Sequence, residues 1–392
     1  PPARLPPPPP PPPPAPPGTP PVAGGTCEHV AMAADLSLLA GELHAAGRRA
    51  GLDAVGVAPA DPFAGTRRDL DERKAADLHA GMHFTYGNPA RSTDPGRALP
   101  GARALVVGAR SYRRAEPVRD PGAGPAGVVA RYSWDDAYAP LRSALGEVAV
   151  LLRAAGWRAR VLADDNALVD REAAHRAGIG WYGKNTNLLL PGRGSWFVLG
   201  SVVTDAPLPP AATPVEDGCG PCTRCLPACP TGALIAPGVL DARKCLAWLL
   251  QAEGDFPLEY REALGGRVYG CDECQEVCPP NRAADRRHPP PPAQPHDEAT
   301  VALVAVLEAS DDELLERYGR WYIPRRQPRY LRRNALVALG NVGDGADPDV
   351  VRVLRRALAS DDPMLGEHAA WAATRLGRAD LVGAGTVPVM PT

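Results

Sequence analysis

Eight of the nine cysteines stand in two groups. The first is Cys219-x2-Cys222-x2-Cys225-x3-Cys229-Pro230, and the second is Cys245 followed by Cys271-x2-Cys274-x3-Cys278-Pro279. The first run has the C-x2-C-x2-C-x3-C-P spacing of proteins that hold two iron–sulfur clusters. The second is the same run with its leading cysteine moved far upstream, to Cys245. A [4Fe–4S] cube takes four thiolates, so eight thiolates specify two cubes, and the fourth cysteine of such a run ligates the other cluster. Cys219, Cys222, Cys225 and Cys278 are therefore assigned to one cluster, and Cys229, Cys245, Cys271 and Cys274 to the other. Two such clusters move single electrons, so the reaction centre they serve lies elsewhere in the chain.

Two other readings of these cysteines are weaker. Disulfides need an oxidising compartment, and the sequence gives no sign of one. Zinc sites favour paired C-x2–4-C spacings, which the first run is not. Cys27 stands apart and reads as a spare thiol.

A second dense region runs VLADDNALVDREAAHRAGIGWYGKNTNLLLPGRGSWFVLG from Val161 to Gly200. Asp164 and Asp165 fall where a strand gives way to a helix, the place at which α/β proteins hold ligands. Asp165 or Asn166 can equally cap that helix. Asp164 suits a buried general acid if its surroundings raise its pKa. The turn from Gly178 to Asn185 is glycine-rich and carries Lys184. It lacks the Gly-x4-Gly-Lys-Ser/Thr of a phosphate-binding loop, yet its glycines let the backbone approach a large cofactor. His44, His79, His83 and His175 are isolated and read as structural.

Elements must position these residues. Leu36, Leu39, Leu43 and Ala46 recur at helical spacing up to Gly51, and residues 52–58 read as a strand. Residues 102–109 (ARALVVGA) form a short buried strand. Ala137, Leu141, Leu145, Val148 and Leu152 mark an amphipathic helix closed by Gly156. A strand over 158–163, a helix over about 167–177 and strands near 186–190 and 196–204 follow, the last two joined by the turn Pro191-Gly192-Arg193-Gly194. This alternation predicts an α/β domain. Residues 241–250 look helical. The segment from Leu331 to Asn341 is echoed by the one from Leu365 to Arg375. With a helical partner over 349–359 between them, this predicts a short helical-repeat module. The organisation read from these signals is a proline-rich tail (1–30), an α/β catalytic domain (31–212), a cluster domain (213–285), a linker (286–300) and the repeat module (301–385).

Fifteen of the first 21 residues are proline. Such a stretch favours polyproline II or disorder. At 392 residues with a net charge of −2, the chain is long enough for two or three domains and carries no bulk charge that advertises nucleic acid. No apolar run approaches the ~18 residues that span a bilayer, and no secretory signal is visible. A cytoplasmic monomer that does not engage a membrane is expected.

Taken in order, the Asp164 segment, Gly178-Ile-Gly-Trp-Tyr-Gly-Lys-Asn-Thr186, Gly194-Ser-Trp-Phe-Val-Leu-Gly200, the displaced two-cluster module ending Tyr269-Gly-Cys-Asp-Glu-Cys-Gln-Glu-Val-Cys-Pro-Pro-Asn-Arg282 and the repeat tail resemble the epoxyqueuosine reductases. The resemblance covers roughly residues 32–380 and is most specific between 160 and 282. It implies a nitroreductase-like domain that binds cobalamin against the nearer cluster, without a histidine ligand from the protein. It implies a ferredoxin-like two-[4Fe–4S] domain and a C-terminal helical module of HEAT-like repeats. It also implies reduction of epoxyqueuosine to queuosine at the tRNA wobble position, with an external low-potential electron donor. The family's proton-donating aspartate opens the segment that leads into the glycine-rich turn, and counting back from Gly178 makes it Asp164. Lys184, Asn185, Ser195 and Trp196 fall in segments that line the family's corrinoid pocket.

A local signal for RNA is the stretch from Arg317 to Arg333, with seven arginines, four aromatics and no acid. Arginines pair with phosphates and aromatics stack on unpaired bases. Arg325, Arg326, Arg329 and Arg332 are the candidate contacts to an anticodon stem-loop. The competing reading is a linker whose arginines neutralise an acidic repeat surface. Two other activities compete: a corrinoid reductive dehalogenase, and a ferredoxin-type electron carrier without catalysis of its own.

Overall fold

The computed structural model describes residues 27–118, 124–210 and 215–383. The proline-rich segment up to residue 26, expected to be polyproline II or disordered, lies outside them. Along the chain come α1 (Cys27–Arg49), β1 (Ala54–Pro59), β2 (Ala104–Ser111), β3 (Ala126–Val129), α2 (Tyr138–Ala154), β4 (Ala159–Leu162), α3 (Asp170–Arg176), β5 (Trp181–Tyr182), β6 (Leu188–Leu189) and β7 (Phe197–Thr204). The cluster segment ends in β8 (Arg267–Tyr269) and α4 (Pro279–Arg287). Then follow β9 (Thr300–Ala302), α5 (Asp311–Tyr318), α6 (Arg329–Val342), α7 (Pro348–Leu358) and α8 (Pro363–Arg375).

The main sheet has the order β1-β2-β7-β4, and each of its pairings is antiparallel. Helices cover both faces, which is why β2 and β7 read as unbroken apolar runs. Leu105 and Val107 of β2 pack with Phe63, Ala173 and Ala174 on one face. Ala104 and Val106 pack with Leu43, Leu145 and Val148 on the other. The expected α2 stripe is buried as Leu141, Ala144, Leu145, Val148, Ala149 and Leu152. Each large aliphatic side chain in it contributes about 1.5–3 kcal/mol by leaving water.

A three-stranded sheet, β8-β3-β9, joins the parts. Strand β3 precedes α2, β8 leads into Cys271, and β9 opens the helical region, so one sheet draws strands from three parts of the chain. The helical module packs α6 between α8 and the cluster segment. Arg333 and Asn334 of α6 are fully buried. The Arg333 guanidinium donates to the carbonyls of Leu249 (3.0 Å) and Ala252 (2.8 Å), and Asn334 donates to those of Leu250 (2.8 Å) and Val268 (3.1 Å). The helix α5 begins in a capping box of Ser310 and Glu313.

Three local expectations are corrected. The helix expected over 167–177 spans only 170–176, because the Asp165 carboxylate takes the Ala167 amide at 2.8 Å and holds the preceding turn out of the helix. The helix expected over 241–250 shrinks to Leu246–Leu249. Its first half bonds outward instead, the Ala242 amide donating to the Leu78 carbonyl (2.8 Å) and the Lys244 carbonyl accepting from the Thr231 hydroxyl (2.6 Å). The strands on either side of Pro191–Gly194 do not form one hairpin. β6 pairs with β5, β7 pairs with β2 and β4, and a lone bridge joins Leu190 to Gly194. Among the described residues no helix is long and apolar enough to cross a membrane.

Candidate active site and cluster sites

All eight grouped cysteines are free thiols. Cys219, Cys222, Cys225 and Cys278 wall one small cavity with Pro279 and Pro280. Cys229, Cys245, Cys271 and Cys274 wall a second, of about 350 Å³. These are the two sets that the spacing assigned, including the exchange of the fourth cysteines. Among the described residues no three His, Cys, Asp or Glu side chains converge on a single-ion site. Thiols spread around a cavity suit a cube, whose irons each take a separate thiolate.

Burial pushes the Cys271 and Cys278 thiols up to about 11, and Cys274 higher still. Cys229 moves down despite burial, because the amides of Thr231, Ala233 and Leu234 and the Thr231 hydroxyl face its sulfur; Ala233 N donates to Sγ at 3.2 Å. The raised thiols hold their protons until iron arrives, so loading the site must release protons.

The module is stapled to the main sheet through the turn before β7. Gly194 has φ +75°, and a Cβ there would overlap Asn281 Oδ1. That close approach lets Asn281 Oδ1 accept from Ser195 N (2.6 Å), while Ser195 Oγ donates to Gln275 Oε1 (2.8 Å). Asn281 Nδ2 in turn donates to the Gln275 carbonyl at 2.8 Å. Trp196 is buried with the Arg131 guanidinium over its ring (5.4 Å) and Tyr112 at its edge (6.0 Å). Asn185 lines both cluster cavities and donates to the Cys274 carbonyl at 3.2 Å. Lys184 lines the first cluster's cavity, with Nζ donating to the Gly220 carbonyl at 2.6 Å.

A larger cavity of about 830 Å³ adjoins the second cluster's site, and the two share Tyr132, Tyr138, Leu240, Cys245 and Ala247. Asp164 stands on its wall and is exposed, where the sequence reading expected a buried acid. Its backbone is left-handed, at φ +55°. Partial burial raises its carboxyl above the ordinary range; Arg142 opposes this, while Asp165 and Asp136 add to it. Asp170, at the start of α3, is raised well above its ordinary value by burial and then by the charge of Asp164. Tyr132, Tyr138 and Tyr269 are raised by burial and remain protonated around this carboxyl.

Of the residues inferred for a corrinoid, Lys184, Ser195 and Trp196 line neither the 830 Å³ cavity nor the second cluster's cavity, and Asn185 reaches only the latter. The residues that do line the large cavity include Tyr132, Tyr138, Trp248, Trp321 and also His83, which the sequence reading took as structural. Sequence patterning missed Tyr132 and Tyr138 because one sits in a short 3-10 turn and the other at the first residue of α2, where neither belongs to an apolar stripe. His175 is structural as expected, its Nδ1 meeting the Gly180 carbonyl at 3.0 Å.

The four candidate RNA arginines are divided. Arg329 pairs with Asp362 (2.6 Å) and Arg332 with Asp311 (2.5 Å). Arg325 is exposed and pairs with Glu253 at 2.9 Å, and exposed Arg326 donates to the Gly319 carbonyl at 3.3 Å.

Residues 218–281 match the family model described as a 4Fe-4S double cluster binding domain. Along its length the chain is similar to the epoxyqueuosine reductase of Bacillus cereus, 35 % identical over 353 residues that cover 88 % of this chain and 90 % of that one. The Bacillus subtilis epoxyqueuosine reductase is 34 % identical over 334 residues, covering 83 % and 85 %. Among solved structures, an epoxyqueuosine reductase with an epoxyqueuosine-modified tRNA-Tyr stem-loop superposes with a TM-score of 0.78 at 32 % identity, covering 87 % of this chain and 91 % of that one. A Bacillus subtilis structure whose catalytic aspartate loop is swung out of the active site superposes with a TM-score of 0.78 at 31 % identity, covering 88 % and 93 %.

Proposed function

The chain belongs to the epoxyqueuosine reductase family, and from that premise we propose that it reduces epoxyqueuosine to queuosine at the wobble position of tRNA anticodons. The observation that carries this reading is one cavity with Asp164 on its wall and Cys245, a ligand of the second cluster, in its lining. Removing the epoxide oxygen as water takes two electrons and two protons. When bound, the two [4Fe–4S] clusters and a cobalamin supply the electrons singly and gather them beside the substrate.

The residues present suit those groups. Each cluster has four thiols around a cavity. The 830 Å³ cavity has the size of a large-ligand site and is walled by tyrosines and small residues next to Cys245. Asn185, Ser195 and Asn281 hold the cysteine runs against the sheet, and so fix the second cluster's ligands relative to the cavity. Asp164 holds a proton on its carboxyl above the usual carboxylate range and can give it to the oxygen as the ring opens. Tyr132 and Tyr138, both half-buried, stand between the cluster site and the cavity of Asp164.

The finer readings of the modules follow. The α/β part is nitroreductase-like, supported by its antiparallel sheet with helices on both faces. The C-terminal module is HEAT-like, supported by the internal echo that became α6 and α8. RNA contact is assigned first to Arg325 and Arg326, which are exposed. Arg325, Arg329 and Arg332 each reach phosphate by exchanging a carboxylate, Glu253, Asp362 or Asp311, and surface pairs of that kind are worth about 0–1 kcal/mol. An external low-potential donor feeds the clusters, the compartment is the cytoplasm, and one chain carries every group named, which supports a monomer.

The test is Asp164→Asn in protein reconstituted with iron, sulfide and cobalamin, given an epoxyqueuosine-bearing stem-loop. Turnover should fall by about 10²–10⁴-fold, while metal content and RNA affinity stay unchanged. Undiminished turnover would remove Asp164 from the reaction.

A further inference from the structure

Among the aromatic side chains around the large cavity that holds Asp164, Tyr132, Tyr138 and Trp248 are half-buried and the others lie at the two extremes. Trp321 and Tyr269 are 6 % and 3 % exposed. Phe84 and Tyr322 line the same cavity and remain 40 % and 56 % exposed. Neither exposed ring hangs from a loose loop. The Tyr322 amide donates to Tyr269 Oη at 2.7 Å, and the preceding Trp321 stacks on Tyr269 at 4.5 Å and 13°. The Trp321 indole also donates to the Ser133 carbonyl at 3.3 Å. Beside Phe84, Gly87 N donates to the His83 carbonyl at 2.8 Å and Ser92 Oγ to the Thr85 carbonyl at 2.9 Å. The protein therefore leaves two apolar rings in water on rigid supports.

Backbone strain gathers on the same segments. Among the described residues seven non-glycine positions have positive φ. Asp77, Ala80 and Thr85 belong to the stretch that presents Phe84, Arg325 and Arg326 closely follow Tyr322, and Asp164 lies on the cavity wall. The seventh, Thr186, lines the adjoining cavity. Left-handed Ala, Thr and Arg cost free energy, and they persist where the surroundings fix a working geometry.

We propose that Phe84 and Tyr322 are the stacking contacts for the unpaired base that carries the substrate's epoxide, held at the cavity rim so that its side arm points inward to Asp164. This rests on the RNA-modifying reading above. An aromatic face accepts any base, so these rings supply hold and aim, while the epoxide arm supplies selectivity inside. Arg325 and Arg326, exposed and shortly after Tyr322 in the chain, offer cations to the backbone of the same strand.

The experiment measures affinity of the reconstituted holoprotein for two anticodon stem-loops, one with guanine and one abasic at the wobble position. Wild-type protein should bind the abasic loop more weakly by about fivefold to a hundredfold, the range of one base–aromatic stack. The Phe84→Ala, Tyr322→Ala double variant should bind both loops with the same reduced affinity. Phe84→Tyr and Tyr322→Phe, which keep the rings, should retain the wild-type difference. Iron content and cluster absorption of each variant report intact folding. If the double variant still loses the full wild-type factor on the abasic loop, the rings do not touch that base and the proposal is overturned. Turnover of an epoxyqueuosine-bearing loop by wild-type protein is run alongside. Its presence with additive losses overturns the stacking proposal alone, whereas its absence overturns the RNA-modifying reading and the proposal with it.

Discussion

Asp164 is shaped by opposing effects. Partial burial and the carboxylates of Asp165 and Asp136 keep its proton on, and Arg142 draws it off. Asp170 lies behind it, and the protonated tyrosines 132, 138 and 269 surround it. The reactive form is the acid, so activity should be high below the folded pKa of Asp164 and fall as pH rises through it. That midpoint should lie above 3.8, the ordinary value. Removing Arg142 (Arg142→Gln) takes away the lowering charge and should move the falling limb to higher pH; a limb that moves down would show that another group titrates. Asp136→Asn removes a carboxylate that raises Asp164 and should move the limb the other way. The strand end and the acids after it made Asp164 a candidate, and the family resemblance, counted back from Gly178, singled it out as the proton donor. Its tyrosine surroundings were not legible, since each comes from a different element.

At the scale of elements, two contacts hold the cluster segment in place. Gly194→Ala puts a methyl group against Asn281 and forces a left-handed alanine, so it should separate the turn from α4 and release iron faster. Gly192→Ala is the comparison, because φ is +70° there and nothing lies within 4 Å of its Cβ. It should cost only about 1 kcal/mol of backbone strain. Equal effects would mean that the Asn281 contact is unimportant. Arg333→Met leaves the carbonyls of Leu249 and Ala252 without their donor. It should lower stability by at least about 2 kcal/mol in a denaturant titration. The sequence placed Arg333 in an RNA-binding run, and burial reassigns it to the joint between α6 and the segment after Cys245. Its helical position faces inward, which periodicity showed only for its apolar neighbours. Glu367 marks a second joint. Burial pushes its carboxyl up, but hydrogen bonds from His368 and Arg261 outweigh that and bring it to about 2. A depressed acid stabilises the fold above its unfolded pKa, near 4.5, and loses that contribution as pH falls toward about 2. The acid limb of thermal stability over this window should shrink in Glu367→Gln.

Across the whole molecule, covalent spacing was more legible than packing. The cysteine assignment came from fixed offsets along the chain, and the two cavities gather the same two sets of four. The internal echo became two helices because small residues at constant spacing allow close helix contact. The sheet β8-β3-β9 was hidden, since its strands are short and come from distant parts of the chain. That sheet ties the catalytic and cluster regions into one body, so the large cavity lies between elements that sequence reading assigned to separate segments. The most direct measurement of the central claim is anaerobic reconstitution of the wild-type chain, with iron and cobalt analysis and nucleoside analysis of an epoxyqueuosine-bearing stem-loop after incubation with a strong reductant. The account predicts about eight irons and one cobalt per chain, as two cubes and one corrinoid require, with queuosine formed. Eight irons without cobalt and without queuosine would contradict it and leave an electron carrier.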